Sequence, residues 1–146
     1  MIASTRITNP FPGLRPFEPS QADIFFGRDE QIEELVDSLQ KNRFVAVVGT
    51  SGSGKSSLVR AGLIPVLERS QVGFMASRWR IAILRPGRNA TEELASALSE
   101  LFGDSQEIVL DALRASSAGL AKYARQRLDS GENLLLLVDQ FEELFR

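Results

Sequence analysis

Residues 49–56 combine glycines, hydroxyl side chains and one lysine at a spacing suited to binding phosphate. In order they are Gly49, Thr50, Ser51, Gly52, Ser53, Gly54, Lys55 and Ser56, which is the pattern G-x-x-x-x-G-K-S. Glycine lets the backbone fold around an anion without Cβ clashes, so successive N–H groups can converge on the phosphates. The pattern predicts that Lys55 bridges the β- and γ-phosphates and that the Ser56 hydroxyl ligates magnesium.

Two further residues are predicted to donate hydrogen bonds to the phosphates in this phosphate cradle, defined here as residues 49–56. Gly52 within it and Ser57 directly after it are candidate additional donors. The alternative is a plain Gly/Ser turn that joins a strand to a helix and leaves Lys55 in solvent. A buried strand before the motif and a helix after it are the context that the phosphate-binding mechanism requires.

Asp139 is the second candidate, because it directly follows the apolar run 134–138. A carboxylate at the end of a buried strand stays ionised only if solvent or a cation balances its charge. In nucleotide hydrolases with a P-loop this cation is magnesium, so Asp139 is predicted to be a metal ligand together with Ser56. The alternative role for Asp139 is a simple helix cap.

Two glutamates follow Asp139 closely and could orient an attacking water. Glu143 lies on the same face as Asp139 in an extended chain and is four residues from it in a helix, so either backbone keeps the two near each other. Glu143 is therefore the preferred base and Glu142 the second choice. For both glutamates the alternative is an acidic helix start that balances its own dipole.

Hydrophobic periodicity predicts the elements that must position these residues. We expect strands at 44–48, 80–84 and 134–138 and an amphipathic helix from Asp29. A second helix is expected to begin at Lys55 and to kink or end at Pro65. A third should end near Gly103, and a fourth should follow a capping box of Asp104 and Glu107. Two more are expected, one over 120–128 that ends at Ser130-Gly131 and one from 141. Strands that alternate with helices predict an α/β fold, here a three-layer P-loop NTPase sandwich with a parallel sheet.

The chain is expected to divide into a short arm and one domain. Residues 1–20 are proline-rich and predicted to form an extended arm, with Phe11, Leu14 and Phe17 against the domain surface or, alternatively, in peptide recognition. Residues 21–146 are predicted to be the N-terminal portion of a P-loop NTPase domain. Because the sequence stops within an apparent new helix, we expect a fragment truncated after the strand that carries Asp139.

Composition excludes several other classes of function. The chain has no Cys and no His, so it cannot build a thiol nucleophile, a Cys/His zinc site or a Ser-His-Asp triad. Its net charge of -2 creates no long-range electrostatic attraction for nucleic acid. No apolar run approaches the roughly 18 residues that a membrane span needs. Arg78, Arg80, Arg85 and Arg88 are predicted to be solvated strand ends, with Arg85 or Arg88 near phosphates as the alternative. A soluble, cytoplasmic protein is expected.

Four sequence blocks resemble the novel STAND NTPases, bacterial relatives of the NACHT and NB-ARC switch ATPases. They are Phe26-Gly27-Arg28-Asp29, the cradle, Arg85-Pro86-Gly87 and residues 134–145. The resemblance implies an ATP-driven switch that holds ADP when off, exchanges it for ATP, self-associates, and is fused to sensor repeats and an effector domain. It also implies that Phe26 and Arg28 line the adenine and ribose side, although Arg28 could instead form a surface ion pair.

The sequence departs from the family pattern in two respects. Gln140 stands where NACHT proteins have a small residue, and the later strands, sensor and arginine residues and winged-helix lid lie outside these 146 residues. ATP hydrolysis is therefore expected of the full-length protein and little or none of this fragment. The alternatives to a switch module are a P-loop small-molecule kinase and a non-catalytic interaction fragment.

Overall fold

Residues 13, 15–25, 27–69 and 78–145 are described by the computed structural model of this chain. Contacts divide the chain into two units, Met1–Arg69 and Ser70–Arg146. Phe11, Leu14 and Phe26, which the sequence analysis singled out, lie outside the described residues. The cradle belongs to the first unit, and Asp139 belongs to the second.

The described part of the first unit is built from helical segments. A 3-10 helix covers Pro19–Ile24, α1 covers Asp29–Lys41, α2 covers Lys55–Ser57, a π-helix covers Leu58–Leu63, and α3 covers Ile64–Arg69. The predicted amphipathic helix from Asp29 is confirmed as α1. Acidic residues occupy its first turn and a lysine its last, which matches the helix dipole.

Pro65 does not end the helical run after the cradle, so of the two predicted outcomes, a kink or an end, the end is wrong. Helical structure continues through Pro65 to Arg69. The π-helix directly before it shifts the hydrogen-bond pattern by one residue, since the Ile64 N–H donates to the Val59 carbonyl. Such an adjustment accommodates a residue that lacks an N–H, because the regular pattern is already broken at that point.

The strand predicted at residues 44–48 is not formed in the described structure, which is a correction. Phe44 is 74% exposed and Val48 is 90% exposed, so this run is not a strand covered on both faces. A strand requires a neighbour that completes its hydrogen bonds, and the described residues of the first unit include no other strand. An apolar run alone does not supply such a neighbour.

The C-terminal end of the predicted arm is docked on the helical run that follows the cradle. The Phe17 N–H donates to Ser57 Oγ at 3.0 Å, and the Phe17 and Phe25 rings lie 5.5 Å apart. Arg60 binds the Glu18 carboxylate at 3.2 Å. The prediction that Phe17 packs on the domain surface is confirmed, whereas Pro19 begins a 3-10 helix rather than continuing an extended arm.

The second unit contains two parallel strands and three α-helices in its described part. The elements are β1 (Arg78–Leu84), α4 (Ala90–Phe102), α5 (Gln106–Arg114), α6 (Gly119–Arg127), β2 (Glu132–Val138) and a 3-10 helix (Phe141–Phe145). Register runs from Arg78↔Glu132 to Leu84↔Val138. The two predicted strands and their parallel pairing are confirmed, which is compatible with an α/β fold.

Helices α4, α5 and α6 share one hydrophobic core with β1. Its buried members are Ala82, Ala95, Leu98, Val109 and Tyr123. Asn133 of β2 is exposed and the other residues of the strand are half-buried, whereas the apolar run suggested full burial. Each described helix falls short of the length and apolarity that crossing a membrane requires.

Asp104 does not cap α5, so the predicted capping box of Asp104 and Glu107 is wrong. Ser105 is the N-cap, and its hydroxyl accepts from the Ile108 N–H. The Asp104 carboxylate instead accepts from the Tyr123 hydroxyl at 2.7 Å and from Arg127 Nε at 2.6 Å. These bonds lower the pKa of Asp104, while burial and the same carboxylate raise the pKa of Tyr123 to about 12. Helix α6 ends at Arg127, before the expected Ser130-Gly131.

Candidate functional site

The cradle turns sharply at its glycines. Gly52 and Gly54 have φ angles of 78° and 84°, a left-handed conformation that side chains with a Cβ rarely adopt. The Ser53 N–H donates to the Thr50 carbonyl at 3.2 Å, which closes the turn, and the Leu58 N–H donates to the Gly54 carbonyl at 2.8 Å. The predicted start of a helix at Lys55 is confirmed by α2.

Gly49 is held close to the opposite side of the same turn. A Cβ added to Gly49 would lie 2.9 Å from Ser53 Oγ and 3.6 Å from Lys55 Cδ. Real Cβ atoms seldom approach another heavy atom so closely, so a larger residue would displace the Ser53 side chain. The glycine therefore keeps the two ends of the cradle near each other.

Lys55 folds back over the cradle rather than extending into solvent. Its Nζ donates to the Gly49 carbonyl and to the Thr50 carbonyl, both at 2.8 Å. An ammonium group carries three N–H donors, so these two bonds leave one donor for an anion. The positive charge of Lys55 is thereby held beside the first two residues of the cradle.

Arg28 contacts the cradle directly, whereas Ser57, the residue that follows the cradle, bonds to the docked segment. The Arg28 guanidinium donates to the Ser53 carbonyl at 3.3 Å, so this side chain supports the loop backbone. Ser57 accepts the Phe17 N–H, and its own hydroxyl proton still allows it to donate. Ser56 occupies the middle of α2, directly after Lys55. The structure thus gathers these residues at one place in the first unit.

Asp139 follows the last residue of β2 and is only 8% exposed. Its N–H donates to the Leu84 carbonyl at 2.9 Å, which fixes its backbone beside the end of β1. Arg85, the residue after β1, brings its guanidinium to 3.7 Å from Asp139 Oδ2. Sequence reasoning placed Arg85 in solvent or near phosphates and missed this ion pair, which parallel register alone could have suggested.

The chain after Asp139 follows neither of the two backbones considered from the sequence. Gln140 has a φ of 57°, which ends the strand direction, and residues 141–145 form a 3-10 helix. The Glu143 N–H donates to the Gln140 carbonyl at 2.9 Å. Glu143 is half-buried and Glu142 is exposed, so Glu143 is the more enclosed of the two carboxylates.

Comparison with known families gives one match that extends over most of the chain. Residues 10–146 match the family described as Novel STAND NTPase 1. This chain belongs to that family. Comparisons with curated proteins and with solved structures gave no match. Membership of a STAND NTPase family points to a nucleotide-binding module of the P-loop class, and the resemblance inferred from the sequence blocks is confirmed.

The residues present fit the nucleotide and magnesium that a STAND NTPase implies. Within the described ranges, no group of three or more His, Cys, Asp or Glu side chains could hold a metal ion. Magnesium does not require such a protein cage, since it is commonly held by one or two carboxylates together with phosphate oxygens and waters. Oxygen groups of the kind that magnesium binds are present in each unit, as the Ser56 hydroxyl in the first and the Asp139 carboxylate in the second.

Proposed function

We propose that this chain is the ATP-binding module of a STAND-class signal-transduction NTPase that acts as a nucleotide-dependent oligomerisation switch. The bound nucleotide alternates between ADP and ATP, with Mg2+ as the accompanying ion. Family membership over residues 10–146 supports the nucleotide-binding part of this proposal.

One observation carries the proposal, and it is the conformation of the cradle. Two glycines with positive φ form the turn, and the Gly49 and Thr50 carbonyls hold the Lys55 ammonium against it. The alternative, a plain Gly/Ser turn with Lys55 in solvent, does not predict these two lysine bonds. An ammonium and converging amides are what a polyphosphate requires.

Each predicted site residue takes a role in this proposal. The cradle and Ser57 bind the phosphates, Ser56 and Asp139 ligate magnesium, Glu143 or secondarily Glu142 orients the attacking water, and Phe26 and Arg28 line the adenine and ribose side. The Arg28 contact with Ser53 adds a second task, because it steadies the cradle backbone. ATP hydrolysis is proposed for the full-length protein, and little or none for the 146 residues alone.

The wider biological setting follows from the switch proposal. The full-length protein is proposed to self-associate through its NTPase domain and to carry fused sensor repeats and an effector domain. Absence of cysteine and a nearly balanced charge favour a cytoplasmic protein without nucleic acid or membrane partners.

Replacing Lys55 tests the proposal. Lys55→Ala should weaken ATP and ADP binding roughly tenfold to over a hundredfold, because a charge-assisted bond is worth about 1.5 to 3 kcal/mol. Isothermal titration calorimetry measures both affinities. Lys122→Ala, which removes the same charge from the exposed side of α6, serves as the matched control and should bind as the wild type does. Equal nucleotide affinity in the two variants would remove Lys55 from the phosphate site.

A further inference from the structure

Asp139 and Arg85 are brought together by the parallel sheet rather than by their positions in the sequence. Leu84 and Val138 are register partners at the ends of β1 and β2, and Arg85 and Asp139 are the next residues on each chain. The bond from the Asp139 N–H to the Leu84 carbonyl extends the pairing one step further. The parallel register therefore places Arg85 beside Asp139, the carboxylate proposed to ligate magnesium.

The Arg85 guanidinium is close enough to Asp139 to balance its charge but is held loosely. A separation of 3.7 Å from Oδ2 is an ion pair beyond hydrogen-bond range. The Arg85 side chain is 48% exposed whereas the Asp139 side chain is 8% exposed. Water can therefore solvate the guanidinium as it moves away, while the largely buried carboxylate stays in place.

We propose that Arg85 is an exchangeable counter-ion of Asp139, which the magnesium ion displaces when Mg-nucleotide binds. This inference rests on the proposed function, since it assumes that Asp139 ligates the nucleotide's magnesium. The Asp139 carboxylate would hold the Mg2+ ion, and the guanidinium of Arg85 would be repelled from the same carboxylate because both groups are cations. Arg85 and Mg2+ are thus alternative partners, and Arg85 sets how much magnesium the site requires.

The magnesium requirement of nucleotide binding tests this exchange. The affinity for a fluorescent ADP analogue is measured in the full-length protein over a series of Mg2+ concentrations. Arg85→Ala should lower the Mg2+ concentration for half-maximal binding by roughly twofold to fivefold, the range expected for loss of an exposed ion pair. Arg85→Lys keeps the competing charge and should remain near the wild type. Arg78→Ala removes an arginine from the opposite end of β1 and should change nothing.

A double-mutant cycle separates competition from an indirect effect. In an Asp139→Asn background the Arg85→Ala substitution should no longer alter the Mg2+ requirement, because the shared carboxylate is gone. An unchanged or increased Mg2+ requirement in Arg85→Ala alone would overturn the exchange and leave the proposed nucleotide site standing. If the wild type bound the ADP analogue at no Mg2+ concentration, the proposed function itself would fail and the exchange with it.

Discussion

Lys55 and Arg85 are both cationic residues of the proposed site, yet their surroundings differ. Two carbonyl oxygens at 2.8 Å fix the Lys55 ammonium, so its charge is immobilised before any ligand arrives. Arg85 has one carboxylate at 3.7 Å and a half-exposed side chain, so its charge can be redirected. Lys55 therefore suits a permanent phosphate contact, whereas Arg85 suits an exchangeable contact with the Asp139 carboxylate.

Glu143 is the residue whose substitution separates nucleotide binding from hydrolysis. Glu143→Gln in the full-length protein should leave ADP and ATP affinity nearly unchanged, because the glutamine keeps the size of the side chain. Turnover should be lost, since an amide cannot accept the proton of the attacking water. Phosphate release under saturating ATP measures turnover, and calorimetry measures affinity.

Glu142→Gln is the matched control for this experiment, because it changes the neighbouring and more exposed carboxylate. It should retain turnover close to that of the wild type. Normal turnover in Glu143→Gln together with loss in Glu142→Gln would transfer the base to Glu142.

For single residues, the sequence predicted local motif geometry but not tertiary hydrogen bonds. The geometry at Lys55 and Gly54 follows the spacing of the motif, because both the glycines and the lysine are needed within one turn. The role of Asp104 could not be predicted, because its partners Tyr123 and Arg127 lie on α6 and compete with the local capping position. Local patterns rank capping candidates, but tertiary partners decide between them.

At the scale of elements, α5 and α6 approach each other closely at Gly119. A Cβ at this position would lie 2.7 Å from the Leu113 carbonyl oxygen and would also meet the Ala112 carbonyl oxygen. Both contacts are with backbone, which cannot rotate away as a flexible side chain can. Glycine is therefore required here for packing, although alanine is the better helix former.

Gly119→Ala should therefore destabilise the protein despite its higher helix propensity. Overpacking costs about 1 to 3 kcal/mol, which exceeds the gain of at most about 1 kcal/mol expected from alanine in a helix. Urea unfolding followed by circular dichroism measures the change. Ser117→Ala, an exposed neighbour, is the control and should alter the free energy of unfolding little. A more stable Gly119→Ala protein would show that the helices can separate without cost.

Predictions of helices and strands succeeded where the sequence signal is local. They failed where an element requires a partner from another part of the chain. Helices α1 and α4 follow from apolar spacing, and α4 ends as expected at Gly103, whose φ is 79°. Residues 44–48 have the composition of a strand but no strand partner within the described part of their unit. The half-burial of β2 likewise depends on the surroundings of the sheet, which composition does not encode.

At the scale of the whole molecule, the residues proposed to bind phosphate and those proposed to bind magnesium are distributed over both units. The cradle and the docked segment around Phe17 belong to Met1–Arg69, while Asp139 and Arg85 belong to Ser70–Arg146. Family membership extends across both units, from residue 10 to residue 146.

The most direct measurement follows the backbone amides of the cradle during ligand titration. In 15N-labelled protein, the amide resonances of Gly52, Gly54 and Lys55 should shift when ADP and Mg2+ are added, because phosphate oxygens accept their N–H groups. Adenosine at matched saturation, which lacks phosphates, should leave these three resonances nearly unmoved. Unchanged amides with ADP, or equal shifts with adenosine, would contradict phosphate binding by residues 49–56.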